Sequence, residues 1–179
     1  MMDGFRTAPP PQHLIIGTFV FLLAIVFAVA PAPIIVRSLA IVACCYLAFS
    51  AAGMPFAYLV ALVAPPVGLL SGDGDWLVML PIMLASGLLA MLALEFSWRY
   101  PAIILSPLLY VMPPLFVTVA SRQALFAVEL PWEGAAMIWT LLHGLIALAG
   151  MLFAVTIDRR RENRPHDDNA TRAVSRAGR

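Results

Sequence analysis

His143 is the side chain in this sequence best suited to chemistry in an apolar setting. It lies near the middle of the apolar stretch Ala135–Ile157, beside Gly144. An ionisable group at membrane depth is costly and rarely faces lipid. Two interpretations follow: a ligand contact or proton relay, or a neutral imidazole bonded to a carbonyl across a helix interface that Gly144 keeps close. No His, Cys or carboxylate lies three or four residues away, so neither a metal site nor a cofactor is predicted in this helix.

Ser106 and Tyr110 are the other candidate ligand-binding side chains. They lie in the apolar stretch Pro101–Ala120, which holds four prolines. An interior proline removes a backbone hydrogen bond, and the freed carbonyl must then meet another helix or line a polar cavity. Transporters place binding sites at such discontinuous helices. The pattern predicts a broken fifth helix with a ligand site at Ser106, Tyr110 and His143; the alternative is that the prolines only shape packing.

Enzymatic chemistry is not indicated by any motif. The sequence has no GxSxG, no HExxH, no phosphate loop and no carboxylates paired within an apolar stretch. All 11 cationic side chains are arginine, which excludes Schiff-base and Walker-type lysine chemistry. Cys44 and Cys45 are adjacent and point about 100° apart in a helix, so they predict packing and not a redox pair. We expect a protein that is not an enzyme.

Composition places the chain in a membrane. Of 179 residues, 62% are hydrophobic and 12% are charged, whereas a soluble domain has about 45–50% apolar and about 25% charged residues. So few polar side chains cannot cover a soluble surface of this size. The net charge of +1 leaves no basic face for nucleic acid. The expected partners are the lipid bilayer and either other membrane subunits or copies of this chain.

Six apolar stretches have about the 17–25 residues that a membrane helix needs. They predict an all-α polytopic bundle of six transmembrane helices, with five as the alternative count. Arg37 lies one turn inside the second stretch, where we expect it to snorkel to the interface, and Pro65-Pro66 leaves the third stretch as a full, kinked or re-entrant span. The stretches are Leu14–Ala30, Ile34–Ala51, Met54–Leu70, Trp76–Leu94, Pro101–Ala120 and Ala135–Ile157.

Short connectors predict one bundle in which successive helices are antiparallel neighbours. Residues 1–13 are expected to be disordered, residues 14–157 to form the bundle, and residues 158–179 to form a disordered basic tail. Ser71–Asp75 is typical of a solvated turn, and Glu95 and Arg99 have the spacing of an i,i+4 ion pair. Ser121–Trp132 predicts an amphipathic surface segment or a lid.

The arginines predict the orientation. With six spans, nine arginines fall on the side of the two termini and two on the other, which places both termini in the cytoplasm of an inner (plasma) membrane protein. Aromatic side chains near the span ends predict an interfacial belt. These aromatic residues are Trp76, Trp98, Tyr100, Trp132 and Trp139.

The first stretch has a second interpretation. Leu14–Phe27 followed by Ala28-Val29-Ala30 resembles a signal peptide with a small-residue cleavage site. The preceding segment, however, is rich in proline and its one arginine is balanced by Asp3. These features favour a retained span, although the charge bias is the same in both cases.

The chain is similar in size and topology to the substrate-binding membrane components of energy-coupling-factor vitamin transporters, and in size to the rod-shape membrane protein. Ala24 and Ala28 resemble the AxxxA coupling feature of the first family, which implies a first helix that couples to a partner. We therefore expect a membrane-embedded module of a transport system or cell-envelope complex acting with partner subunits. The alternatives are a self-contained small-solute carrier with its site at the broken fifth helix and His143, and a purely structural or assembly subunit.

Overall fold

The chain folds into six α-helices, as shown by a computed structural model that describes residues 11–97, 100–123 and 136–177, with side chains to Asp158. A short 3₁₀ turn, Gly68–Ser71, extends the third helix. The helices are α1 (Pro11–Val29), α2 (Ile34–Ala52), α3 (Met54–Val67), α4 (Gly74–Phe96), α5 (Tyr100–Arg122) and α6 (Ala136–Ala177).

All six helices are long and apolar enough to cross a membrane. Their apolar windows begin and end within two residues of the predicted stretches, so the described residues confirm the all-α class and six helices long and apolar enough to span. The agreement reflects the physics of a span, whose length is set by the apolar thickness of a bilayer and not by its neighbours. The outward faces carry large apolar side chains such as Phe19, Ile104 and Leu145, which are 60–70% exposed.

The helices α2 to α6 form a closed ring in which each helix packs against the next and α6 returns to α2. The first helix lies outside this ring, against α2 and α3. α2 contacts α1, α3, α4 and α6, and it carries more buried polar side chains than its neighbours: Arg37, Ser38 and Ser50. It is therefore the helix around which the polar groups of the interior are arranged. We call the end where α1 ends and α2 begins the Arg37 end.

The third span is continuous. The α-helix passes through Pro65 and Pro66 and becomes a 3₁₀ turn at Gly68–Ser71, and the two together give an apolar window of 18 residues, Met54–Ser71. At 1.5 Å per residue this is about 27 Å, close to the apolar thickness of a bilayer. Among the three alternatives, the full span is the one that its length supports.

The predicted break in the fifth helix is wrong. Residues 100–122 form one helix with Pro107, Pro113 and Pro114 inside it. Each proline removes one backbone bond, but a long helix keeps the others, and α5 packs against both α4 and α6. Proline therefore changes the hydrogen bonding of this helix without ending it.

Several predictions concern the chain ends and loops. α6 continues to Ala177, through residues for which composition predicts a disordered tail. Three other predictions fall outside the described residues, which exclude residues 1–10, Arg99 and most of the Ser121–Trp132 segment. The disorder of the N-terminus, the ion pair between Glu95 and Arg99, and the amphipathic surface segment or lid therefore stay predictions.

Small residues bring the helices close together. Ala24 and Ala28 of α1 are fully buried within the core, so they face the bundle and not the external partner that the AxxxA resemblance implies. In α6 the close approach occurs at Gly150, where a Cβ would lie 2.6 Å from the Cβ of Tyr46. Gly144, expected to provide it, is in a looser place, since a Cβ there would lie 3.5 Å from Val111.

These two glycines provide a matched pair of substitutions. We expect Gly150→Ala to lower the free energy of unfolding by about 1–3 kcal/mol, because the new methyl group overlaps the rigid base of the Tyr46 side chain. Gly144→Ala meets only ordinary contact and should be neutral or slightly stabilising, since alanine favours helix. Denaturation of both variants in a mild detergent measures the difference, and equal stability would contradict this packing.

Candidate functional site

His143 lies on α6 and is 3% exposed. Its Nδ1 is 2.8 Å from the carbonyl oxygen of Trp139 and its Nε2 is 3.0 Å from Ser38 Oγ of α2. A carbonyl only accepts, so Nδ1 carries a proton and donates it to Trp139. In the neutral ring Nε2 then accepts from the Ser38 hydroxyl, which shares its one proton with the Ile35 carbonyl 3.0 Å away. The pair links the two helices that close the ring.

Two aromatic rings lie beside this imidazole. The Trp139 ring stacks on it at a centroid distance of 4.6 Å, and the Tyr110 ring of α5 is nearly parallel to it at 6.2 Å. Trp139 is 4% exposed, so the expectation that it forms part of an interfacial belt is wrong. Its position one turn before His143 on the same helix places it in the core.

Ser106 links three helices near the opposite end of α2. Its Oγ donates to the carbonyl of Ala90 in α4 at 3.1 Å, and it therefore accepts the Tyr46 hydroxyl of α2 at 2.8 Å. Ser106 is fully buried, as is Tyr46. The sequence predicts Ser106 as a site residue but does not indicate Tyr46, because the partner of an interior tyrosine is known only once the helices are packed.

The three predicted site residues share one region, where α5 and α6 face α2. Tyr110 and His143 are in ring contact, while Ser106 lies one turn from Tyr110 along α5 and is bonded to Tyr46. In the part of the chain that the structure describes, no buried side-chain nitrogen or oxygen is left without a hydrogen-bond partner. A ligand at Ser106 or His143 would have to replace hydrogen bonds that already hold helices together.

Arg37 is the centre of a second cluster of polar contacts, and its side chain does not lie where the sequence predicts. We expected it to extend to the interface, but its side chain is 3% exposed and lies inside the bundle. The guanidinium joins the end of α1, the 3₁₀ turn and the start of α4. We call this group the Arg37 cluster: Ala28, Arg37, Gly68, Ser71, Asp73 and Trp76.

Five polar contacts hold the guanidinium. Nε and Nη2 both donate to the carbonyl of Ala28, Nη1 donates to Asp73 Oδ2 at 3.0 Å, and Nη2 also reaches Ser71 Oγ at 2.7 Å and the Gly68 carbonyl at 3.3 Å. The planar fork of an arginine suits several acceptors at once, which a lysine cannot match. The turn that sequence predicts to be merely solvated therefore supplies an ion pair, although Asp73 keeps 32% of its side chain exposed.

Trp76 completes the cluster. Its ring lies beneath the guanidinium carbon of Arg37 at 4.1 Å, and its Nε1 donates to the Pro65 carbonyl at 2.7 Å. Gly68 is pressed against the same ring, since a Cβ there would lie 2.2 Å from it. The indole is fully buried, so its predicted place in the belt is wrong. A cation over its face and a carbonyl for its N–H make burial favourable.

At the other end of the bundle Glu95 is bonded to a neighbouring helix. Its Oε2 accepts the Tyr58 hydroxyl of α3 at 2.6 Å, which ties α3 to α4. The predicted partner, Arg99, is not among the described residues. Cys44 and Cys45 are both buried free thiols, in agreement with a packing role.

The described side chains offer no metal centre. No group of three His, Cys, Asp or Glu residues in the described ranges is placed to hold a metal ion. No family model, no curated protein and no solved structure matches the chain. Functional inference therefore depends on the helix links described above.

The Ser38–His143 pair should be energetically coupled. We expect Ser38→Ala and His143→Leu each to lower the free energy of unfolding by about 1 kcal/mol, with a coupling energy of about 0.6 kcal/mol, as for other hydrogen bonds between membrane helices. A double-mutant cycle in detergent measures this coupling. Strictly additive losses would show that the two side chains do not interact.

The Arg37–Asp73 ion pair gives a second test with its own control. Asp73→Asn should lower the free energy of unfolding by about 1–2 kcal/mol, since it weakens a charge-assisted hydrogen bond that is partly exposed. Asp75→Asn removes the same charge from the same first turn of α4, where Asp75 is exposed, and should cost about 0.5 kcal/mol. Equal losses would mean that only the helix dipole is involved.

Proposed function

We propose that the protein is a non-catalytic, membrane-embedded module of a transport system or a cell-envelope complex, working with partner subunits. The observation that carries the proposal is the bonding of the interior: the polar side chains of His143, Ser106 and Arg37 all connect helices to each other. A bundle held in this way suits a fixed scaffold whose outer faces meet lipid or other helices. The small share of charged residues, 12%, leaves little mass outside the membrane for a separate activity.

We also propose an inner-membrane location with both termini in the cytoplasm. Nine arginines against two support this orientation.

A self-contained small-solute carrier is the second candidate. It is supported by the meeting of Tyr110 and His143 next to Ser38 of α2. In this candidate the solute would exchange with the hydrogen bonds that now link α2 and α6. A purely structural or assembly subunit would need no such exchange.

The decisive experiment is recovery of the tagged protein from its native membrane in a mild detergent, followed by mass measurement and identification of co-purifying chains. We expect a partner in a fixed ratio, absent from the same purification with untagged protein. Recovery of the chain alone, as a monomer or homo-oligomer, would contradict the partner proposal and favour the carrier.

Orientation is testable with an alkaline phosphatase reporter, which is active only outside the cytoplasm. We expect a fusion after the last residue to be inactive and a fusion that replaces the chain after Gly72, at the Arg37 end, to be active. The reverse pattern would overturn the proposed orientation.

A further inference from the structure

The end of α1 has two features, one typical of a leader that is removed and one typical of a helix that is retained. Its small residues, Ala28-Val29-Ala30, resemble the signature of a leader cut from the chain. Yet α1 is packed on the bundle through Ala24 and Ala28, neither of which has any exposed surface. The structure allows a choice between a temporary leader and a permanent helix.

The carbonyl of Ala28 is the group through which α1 binds the buried side chain of Arg37. This carbonyl belongs to the last turn of the helix, where it has no partner within the helix. It accepts hydrogen bonds from both Nε and Nη2 of Arg37. These are two of the five polar contacts that hold the guanidinium, and the other three come from the turn before α4 and from Asp73.

Removal of α1 would leave two of the contacts of the guanidinium unfilled. The helix covers α2 and α3 on the outside of the ring, and Arg37 is buried beneath its end. An arginine with unfilled donors on a lipid-facing surface is unfavourable. Nearer the start of α1, Gly17 is also packed closely on the bundle, since a Cβ there would lie 2.6 Å from the Phe56 ring of α3.

We propose that α1 is a permanent helix of the mature protein and that Ala28-Val29-Ala30 is a packing and Arg37-binding element, not a processing site. The small residues are required because Ala28 must let α1 approach α2 while its carbonyl reaches the guanidinium. This inference does not depend on which function the module has.

The first test is the mass of the protein in its native membrane, with a tag at each end. We expect one species that carries both tags. A species that has lost the N-terminal tag and begins after Ala30 would overturn the proposal.

Two variants at neighbouring positions sharpen the test. Ala28→Leu places a larger side chain at a fully buried position, whereas Val29→Leu changes a side chain that is 38% exposed. We expect Ala28→Leu to lower the unfolding temperature of the purified protein clearly and Val29→Leu to leave it unchanged. Equal unfolding temperatures for both variants would contradict the proposal.

A third variant addresses processing alone. Ala30→Leu replaces the small residue at the position where cleavage would occur, and Ala30 is only partly buried. We expect the mass to exceed that of the wild type only by the difference between leucine and alanine, with the same amount of protein. A variant heavier by the whole segment that precedes residue 31 would show that the wild type is cut there.

Discussion

The burial of one guanidinium group organises one end of this protein. Arg37 lies one turn into α2 with its side chain inside the bundle, where its donors and its charge need partners from the protein. The chain supplies a carboxylate from Asp73 and neutral oxygens from the end of α1 and the turn after α3. Three connections between helices therefore meet at a single side chain, and their geometry follows from its planar shape.

The same constraint explains why α2 is central. A helix with polar groups on several sides cannot lie at the edge of a membrane bundle, because each group needs a partner from another helix. Arg37 is satisfied by α1 and the turn before α4, Ser38 by α6, and Tyr46 by α5. The ring of five helices, with α1 packed on its outside, is the arrangement that brings these partners to one helix.

The spans could be predicted from sequence almost to the residue, because hydropathy and length are local properties of a segment. The partners of the polar side chains could not, since Ser38 and His143 are 105 residues apart and nothing in either segment marks the other. Trp76 shows the same limit: a tryptophan at a span end is usually interfacial, and only the nearby cation makes it a core residue. Proline was misleading for a different reason, because its effect on α5 depends on the neighbours that support the helix.

The order in which the partners of α2 emerge during synthesis has a consequence for assembly. Ala28 precedes Arg37 in the chain, so the first hairpin already offers the cation two of its hydrogen bonds, and Asp73 follows 36 residues later. His143 comes on the last helix to be made. Since chains fold from the N-terminus as they are synthesised, α2 spends most of that time with one face unpaired. The arrival of α6 is the step that closes the ring, so translation beyond the fifth helix sets the moment at which the bundle becomes complete.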